Sequence, residues 1–384
     1  MSASTLTLRR VVPEPTLPAT SSSATDLAHM ARALELAERG LNTTTPNPRV
    51  GCVIVKEGVV IGEGWHERAG GAHAEINALA DAAARGADPR GATLYVTLEP
   101  CNHTGRTPPC SEAVIGAGVT RVVAAMADPN TEARGGADRL RAAGVAFEVG
   151  LLEREARELN IGFVSRVARG RPWVRVKVAA SLDGRTALAS GESKWITGDE
   201  ARADGHRWRA RACAILTGIG TVRSDNPELT VRSIPTTRQP RRVVVDRHAE
   251  TPADAQVLAG EGALVVTAGA RNPSWSERVE VLALPDAERR VDLAALMTEL
   301  GRRGCNEVHV EAGARLNGAL LASGMVDELL VYLAPCLVFD PALGMAQLPA
   351  GLARLADRVP LVFEDVMRIG ADLRLRLRVI GREV

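Results

Sequence analysis

One histidine and two cysteines, widely separated along the chain, most constrain how this sequence can fold. His73 opens a segment with helical spacing, Cys101 follows a strand-like run and a proline, and Cys110 follows two more prolines. One imidazole and two thiolates form a ligand set that zinc prefers, and a zinc site with three protein ligands keeps a fourth position open for water. We therefore expect the fold to bring these three residues together at one metal centre.

Glu75 is the candidate catalytic residue, because it follows His73 by two positions and is not needed as a ligand. A carboxyl group at such a site can carry protons between water, a substrate ring and a departing amine. His-x-Glu followed by Pro-Cys steps is typical of zinc-dependent deaminases, whose cysteines usually lie closer together than Cys101 and Cys110 do here. Two alternatives are a disulfide between these cysteines and a structural zinc site, for which His103 is the nearby candidate for a fourth ligand.

Composition limits the classes of partner. The chain has 384 residues, of which 46% are hydrophobic, so it is long enough for two domains with separate cores. Lys and Arg total 47 against 46 Asp and Glu, and this near-neutral balance disfavours nucleic-acid binding. Six cysteines, several of them in apolar runs, are typical of a cytoplasmic thiol protein, and no apolar run has the length of a membrane span. We expect a cytoplasmic protein that binds neither nucleic acid nor membrane.

Hydrophobic periodicity predicts an α/β protein with two domains. Residues 1–24 are expected to form a disordered tail, 25–170 a first domain and 171–384 a second, with the boundary at Gly170, Arg171 and Pro172. In the first domain we predict helices from Asp26 to Gly40, at 73–85, from Cys110 to Gly116, at 137–143 and at 153–169, a hairpin over 50–61, and strands at 92–98, 121–125 and 145–149. In the second we predict strands at 173–180, 213–217, 242–246, 263–267, 306–311, 327–333 and 373–380, and helices at 199–210, 292–302 and 314–322.

Seven stretches resemble the family of bifunctional riboflavin-biosynthesis deaminase/reductases. Three lie in the first half: PNPRVGC at 46–52, GAHAEINAL at 71–79 and TLEPCNHTGRTPPC at 97–110. Four lie in the second half: KVAASLDGR at 177–185, GESKWIT at 191–197, GTVRSDNP at 220–227 and VEAGARL at 310–316. The resemblance extends from about Asp26 to the C-terminus.

This resemblance implies a cytidine-deaminase-like three-layer α/β/α domain followed by a dihydrofolate-reductase-like α/β domain. It implies two reactions on a small phosphorylated pyrimidine: zinc-dependent hydrolytic removal of a ring amino group, and then NADPH-dependent reduction of the ribosyl chain to ribityl. It also implies a homo-oligomer built through the reductase domains. The absence of a G-x-G-x-x-G motif agrees with a reductase that is not a Rossmann domain.

The resemblance also implies roles for individual residues. Residues expected to contact the deaminase substrate are Asn47, His103 and Arg106. Residues expected to bind the cofactor are Ala179, Trp195, Thr221, Asp225, Gly313, Ala314, Arg315, Leu316, Asn317, Gly318 and Ala319. Apart from the resemblance, Arg247 follows a predicted strand, and we expect it to meet the 2'-phosphate of NADPH. Residues expected to contact the reductase substrate are Ser193, Arg209, Leu229, Arg232 and Glu311. Independently, Gly313 lies where a strand gives way to a helix, at which backbone N–H groups can bind phosphate.

Residues 335–340 depart from the family pattern, and residues 250–290 are compact. Three alternatives therefore stay open at this point: a deaminase with an impaired or redirected second domain, a deaminase acting on nucleic-acid bases, and a zinc-stabilised scaffold without catalytic activity.

Overall fold

The computed structural model describes residues 23–103, 108–339, 341–348, 350–382 and 384, and they form two large β-sheets. The expectation of a disordered tail lies outside the described residues except at its end, where Ser23 caps the first helix. The helices of the first half are α1 (Ala24–Glu38), α2 (Ala74–Ala84), α3 (Cys110–Gly116), α4 (Gly136–Ala142), α5 (Glu153–Leu159) and α6 (Ile161–Arg169). Its strands are β1 (Gly51–Lys56), β2 (Val59–Trp65), β3 (Thr93–Val96), β4 (Arg121–Ala124) and β5 (Ala146–Val149).

The first sheet has the strand order β2-β1-β3-β4-β5. The predicted hairpin of β1 and β2 is antiparallel, β3 runs antiparallel to β1, and β3, β4 and β5 are parallel to one another. Gly51 lies against Ala33 of α1, whereas Gly64, which pairs with the next residue of β1, lies against Ala78 of α2. Since successive residues of a strand point to opposite faces, α1 and α2 cover opposite faces of this sheet. The first half therefore has the expected three layers.

Two predicted elements of the first half differ in their limits. Helix α1 begins at Ala24, because the side chain of Ser23 accepts a hydrogen bond from the Asp26 backbone N–H; Asp26 is thus the third residue of a capping box and not the N-cap. The predicted helix over 153–169 is two helices separated at Asn160. The side-chain oxygen of Asn160 accepts the Arg49 N–H at 2.8 Å, and its nitrogen donates to the Arg49 carbonyl at 2.9 Å. This paired contact with a distant backbone breaks the helix.

The second half contains a larger sheet with the order β11-β10-β9-β8-β12-β6-β13-β16-β15 and a separate pair of β7 and β14. Its strands are β6 (Trp173–Ser181), β7 (Arg185–Leu188), β8 (Ala214–Gly218), β9 (Arg241–Val245), β10 (Ala263–Thr267), β11 (Glu280–Ala283), β12 (Glu307–Val310), β13 (Glu328–Ala334), β14 (Ala342–Gly344), β15 (Leu361–Ile369) and β16 (Asp372–Val379). Its helices are α7 (Asp199–Arg211), α8 (Ile219–Asp225), α9 (Leu293–Arg302) and α10 (Ala314–Ala322). The strands from β11 to β13 in this order are parallel, and β16 and β15 add an antiparallel edge.

All the strands and helices predicted for the second half are confirmed within a few residues, but β7, β11, β14, β15 and α8 were not predicted. Among the described residues, no helix is both long and apolar enough to cross a membrane.

The two halves pack together where α6 meets β12. A Cβ atom on Gly162 would lie only 2.5 Å from the Asn306 carbonyl oxygen, so the helix approaches the strand as closely as a glycine allows. Beside this contact, Glu307 of β12 is fully buried and pairs with Arg49 of the first half at 2.8 Å and with Arg175 and Arg211 of the second at 3.0 and 2.7 Å. The junction is therefore a buried, charged and tightly packed interface.

Candidate functional site

The three predicted metal ligands converge as expected. His73 is the N-cap of α2, Cys110 is the first residue of α3, and Cys101 lies beyond the end of β3. The His73 Nδ1 atom lies 3.2 Å from the Cys110 sulfur and 3.6 Å from the Cys101 sulfur. Ligands of a tetrahedral zinc with one nitrogen and two sulfurs are about 3.5 Å apart, given Zn–N and Zn–S bonds of about 2.0 and 2.3 Å. The side chains present therefore fit a zinc ion.

The ligand count favours a catalytic site over a structural one. Among the described residues, the only group of metal-ligating side chains that could hold an ion consists of His73, Cys101 and Cys110, and His103 is not a member of it. Three protein ligands leave one position of a tetrahedral ion for water. All six cysteines are free thiols, so the alternative of a disulfide between Cys101 and Cys110 is not what the structure contains. Hydrogen bonds from Cys110 and His73 lower the pKa of Cys101 below its usual value, which favours a thiolate there.

Glu75 lies in the first turn of α2 and is 3% exposed. Burial raises the pKa of its carboxyl to about 7. A carboxyl group whose pKa is near neutrality can both accept and return a proton during one turnover. The position beside the metal ligands and the pKa suit the predicted catalytic role of Glu75.

His73 and Cys101 lie on the wall of a cavity of about 360 Å³, and Asn47 lies on the same wall. His66, which was not predicted, fixes the orientation of Asn47. Its Nδ1 lies 2.9 Å from the Ala72 carbonyl oxygen and must donate a proton, so its Nε2 accepts a hydrogen bond from Asn47 Nδ2 at 3.1 Å. Burial lowers the pKa of His66 and so favours this neutral form.

The remaining wall is formed by residues from several elements. His103 lies on the cavity wall as predicted, whereas Arg106 lies outside the described residues. Asp128 lines the cavity too, and burial raises the pKa of its carboxyl to about 6. Phe163 and Arg166 come from α6, and Gly304 comes from the second half. Periodicity could not have identified Asp128, Phe163, Arg166 or Gly304, because only the tertiary structure brings them to the cavity.

A second polar cluster lies where β12 ends. Glu311 follows β12 directly, and its carboxylate accepts a hydrogen bond from Arg209 of α7 at 2.9 Å. Burial opposes the charge of Glu311, but Arg209 holds the pKa of its carboxyl well below the usual value. Lys177 of β6, which was not predicted as a site residue, lies half-buried nearby, and the loss of solvent around it lowers its pKa. Glu311 and Arg209, which are both predicted to contact the reductase substrate, are therefore in direct contact.

The predicted cofactor-binding segment begins next to this cluster. Gly313 is the N-cap of α10 and faces Thr221 of α8, whose hydroxyl oxygen would lie 3.9 Å from a Cβ atom on the glycine. Asp225 ends α8. Gly313 and Arg315 are exposed at the start of α10, and Ala314, Leu316 and Ala319 are half-buried. The structure thus brings Gly313 and Thr221 together.

Asn317 and Gly318 lie on the buried side of α10, against the segment around residues 345–347. The Asn317 side chain is 2% exposed and donates to the Met345 carbonyl at 2.9 Å. A Cβ atom on Gly318 would lie 1.9 Å from the Gln347 carbonyl oxygen. These two residues hold the segment around 345–347 against α10, and a role of their side chains in cofactor binding stays a prediction.

Other predicted residues of the second half are more dispersed. Arg232 pairs with Glu228 at 2.6 Å, and Arg247 donates to the Glu288 carbonyl at 3.2 Å. Leu229 is 2% exposed and packs in an apolar cluster with Val244 and Trp275. Trp195 is 71% exposed and lies beside Arg202. Ser193 is half-buried, and Ala179 lies within β6.

Comparison with known families assigns each half. Residues 23–126 match the model of the cytidine and deoxycytidylate deaminase zinc-binding region, and residues 172–347 match that of the RibD C-terminal domain. The riboflavin biosynthesis protein RibD of Escherichia coli K12 is 47% identical over 366 residues, which cover 92% of this chain and 99% of that protein.

Solved structures agree over nearly the whole length. RibD of Acinetobacter baumannii superimposes with a TM-score of 0.85 at 43% identity, covering 93% of this chain and 99% of that one. A diaminohydroxyphosphoribosylaminopyrimidine deaminase/5-amino-6-(5-phosphoribosylamino)uracil reductase of Thermotoga maritima gives a TM-score of 0.84 at 34% identity, covering 92% of this chain and 99% of that one. The expected two-domain α/β fold is thereby confirmed.

Proposed function

We infer the reactions of the two halves from one premise: the chain belongs to the RibD family of bifunctional riboflavin biosynthesis proteins. The first half is a zinc-dependent deaminase and the second a reductase that uses NADPH. We propose that the deaminase acts on diaminohydroxyphosphoribosylaminopyrimidine and the reductase on 5-amino-6-(5-phosphoribosylamino)uracil, the compounds that name the Thermotoga relative. The observation that carries the first assignment is the convergence of His73, Cys101 and Cys110 beside the buried Glu75.

In the deamination, Glu75 moves the protons. Zinc at this site supplies Lewis acidity, which makes water a stronger acid near neutral pH. Glu75 accepts a proton from water as its oxygen adds to the ring carbon, and passes that proton to the adjacent ring nitrogen. It then moves the second proton of the same water, from the new hydroxyl group, to the departing amino nitrogen. The carbon–nitrogen bond breaks, ammonia leaves and a ring carbonyl remains. Asn47, His103 and Arg106 are proposed to hold the base and ribose phosphate in the cavity.

In the reduction, NADPH supplies the hydride, and the protein binds and orients the two reactants. We propose that backbone N–H groups at the start of α10, from Gly313 onward, bind a cofactor phosphate together with Thr221. Glu311 and Arg209, which are paired and half-buried, are proposed to orient the ribosyl group of the substrate. The further assignments stand as proposed contacts: Ala179, Trp195, Asp225, Arg247 and residues 314–319 for the cofactor, and Ser193, Leu229 and Arg232 for the substrate.

A coupled assay with metal analysis tests both assignments. The purified chain should contain about one zinc ion and release ammonia from the phosphorylated diaminopyrimidine without NADPH. NADPH should be oxidised only after deamination. Removal of zinc with a chelator should stop ammonia release and leave reduction of added deaminated substrate intact. Full deamination without zinc would contradict the first assignment, and no NADPH oxidation would favour an impaired second domain.

We propose a boundary between the two units at residues 170–172, because α6 ends at Arg169 and β6 begins at Trp173. We also propose that the protein works in the cytoplasm, where its six free thiols would stay reduced.

We propose that two copies of the chain associate through β15. This strand is an edge of the larger sheet, and it exposes Leu361, Val362, Phe363, Val366 and Met367, with Phe363 62% exposed. An edge strand with exposed apolar side chains is a ready surface for pairing with a second copy. The supporting observation is that five exposed apolar side chains lie on this one edge strand.

Molar mass in solution tests this association. We expect a mass of twice the 40.7 kDa chain or more, and a monomer for Phe363→Asp. Leu355→Asp is the matched control, since Leu355 is 80% exposed but lies outside the strands. A wild-type protein that sediments as a monomer would contradict the proposal.

A further inference from the structure

We propose that Arg166 binds the phosphate group of the substrate in the deaminase cavity, and that Asn306 of the reductase half holds Arg166 in position to do so. This inference rests on the proposed function, since it concerns the phosphorylated substrate of the same cavity.

Arg166 is fixed on three sides by neutral groups. Its Nε donates to the Asn306 side-chain oxygen at 2.7 Å, and its Nη2 donates to the Pro46 carbonyl oxygen at 3.1 Å. The guanidinium carbon lies 5.7 Å from the centre of the Phe163 ring. Phe163, Pro46 and Arg166 all line the cavity that contains Glu75. The guanidinium is therefore held at the cavity wall by contacts that leave its charge uncompensated.

Arg166 differs from the neighbouring arginines Arg169 and Arg171 in its ion pairing. In the described part of the chain, no carboxylate lies within ion-pair distance of Arg166, whereas Arg169 and Arg171 both pair with Asp327, at 2.9 and 2.7 Å. Burial also lowers the pKa of Arg166. A partly buried cation without a counter-charge is costly, and an anionic ligand would compensate it. A guanidinium can bind a phosphate monoester through two parallel hydrogen bonds.

Besides the catalytic Glu75, the acidic residues of the cavity wall are Glu99 and Asp128, and both accept hydrogen bonds from backbone N–H groups. One carboxylate oxygen of Glu99 accepts backbone N–H groups of Gly135 and Ala137, both at 3.0 Å. Asp128 accepts the N–H of Asn130 at 2.8 Å. These carboxylates stabilise the loop before α4 and do not neutralise Arg166, which remains available to an anion that enters the cavity.

Asn306 is a positioning residue from the second half. It is 4% exposed, and its side-chain nitrogen donates to the same Pro46 carbonyl oxygen at 3.2 Å. Its backbone N–H lies 3.1 Å from the Cys213 sulfur, so the residue is anchored at both ends. Asn306, which directly precedes β12, thus connects Arg166 and the loop carrying Asn47 to the second half.

Steady-state deamination kinetics with two substrates test the role of Arg166. For Arg166→Gln we expect KM for the phosphorylated substrate to rise about 10- to 100-fold, the effect of losing a charged hydrogen-bond partner, with kcat changed less than about threefold. KM for the dephosphorylated analogue should change less than about twofold. For Arg166→Lys, KM for the phosphorylated substrate should lie between the values for the wild type and for Arg166→Gln. Arg154→Gln is the matched control, because the Arg154 side chain is 74% exposed and does not line the cavity, so the substitution should leave both values unchanged.

Asn306→Ala should raise KM for the phosphorylated substrate and leave KM for the dephosphorylated analogue unchanged. In the double variant with Arg166→Gln and Asn306→Ala, KM for the phosphorylated substrate should be no higher than in Arg166→Gln alone. Unchanged NADPH-dependent reduction of added deaminated substrate reports that the variants are folded. Equal losses on the phosphorylated and dephosphorylated substrates, or additive effects in the double variant, would overturn the inference. A wild-type chain that fails to deaminate the phosphorylated substrate would instead overturn the proposed function.

Discussion

Burial determines what single residues of the deaminase site can do. Among the described residues, no basic side chain forms an ion pair with Glu75. Burial raises the pKa of the Glu75 carboxyl group to about 7. His66 is held neutral by burial, so it can accept the hydrogen bond that orients Asn47. The chemistry of the site therefore depends on side chains whose ionisation is set by their surroundings and not by direct salt bridges.

For Glu75→Gln we expect kcat for deamination to fall about 10²- to 10⁴-fold, the usual contribution of a general acid–base group, with zinc content unchanged. An amide has nearly the same shape as the carboxyl group but cannot accept and return a proton. Ammonia release and metal analysis on the same sample measure both quantities. A variant with wild-type turnover would mean that another group, for example Asp128, moves the protons.

The metal ligands and Glu75 could be predicted because their signal is local: residue types at short spacings after turn-forming prolines. His66, Asp128 and Lys177 could not be singled out in this way. A lone histidine, aspartate or lysine has many ordinary uses, and only the tertiary structure brings each of these to a cavity or a charged cluster.

Close packing between elements positions the metal ligands. A Cβ atom on Gly136, the first residue of α4, would lie 1.8 Å from the carbonyl oxygen of Pro100, which precedes the ligand Cys101. Any side chain at 136 would thus push the backbone that carries this ligand. The start of α4 serves as a rigid support for the metal centre.

We expect Gly136→Ala to reduce zinc affinity at least about tenfold, as loss of a supporting contact does, and to lower the thermal stability of the deaminase half. Zinc competition with a chromogenic chelator and thermal unfolding measure the two effects. Gly116→Ala is the control, since no atom lies within 4 Å of an added Cβ there. Equal zinc affinity in the two variants would show that α4 does not support the ligand.

Elements with strong local signals were the predictable ones. The hairpin of β1 and β2 and the helix at Cys110 follow from turn glycines, prolines and apolar spacing. The break between α5 and α6 was missed because it depends on Asn160 bonding to the distant Arg49 backbone. Strand β15 was missed too; most of its side chains are exposed, so it lacks the buried face that makes an alternating pattern recognisable.

At the scale of the whole molecule, Glu307 joins the halves. Burial alone would raise the pKa of its carboxyl, but Arg211, Arg49 and Arg175 together hold it far below the usual 4.5. A carboxyl group whose pKa is lower in the folded state stabilises the fold above its unfolded pKa, and this stabilisation is lost as the pH falls toward the folded value. Acid should therefore weaken the junction below about pH 4.5.

Glu307→Gln should lower the free energy of unfolding by about 3–5 kcal/mol at neutral pH, because three arginines lose their shared counter-charge. The variant should also lose less stability than the wild type between about pH 7 and pH 3. Denaturant unfolding at the two pH values measures both. Glu155→Gln, an exposed control, should change stability by less than about 0.5 kcal/mol. An identical pH dependence in Glu307→Gln and wild type would contradict this role.

The α/β class and two-part organisation could be predicted from composition and the alternation of elements. The junction could not: Arg49 and Glu307 are far apart in sequence, and nothing in the pattern around either residue identifies the other as its partner.

Gly304 of the second half lies next to Pro46 on the wall of the cavity that contains Glu75. The reductase half therefore forms part of the deaminase cavity. Fusion of the two catalysts in a single polypeptide therefore has an architectural basis as well as a genetic one. Any split version, natural or engineered, must either keep its two pieces bound to each other or evolve a replacement for the missing part of the wall.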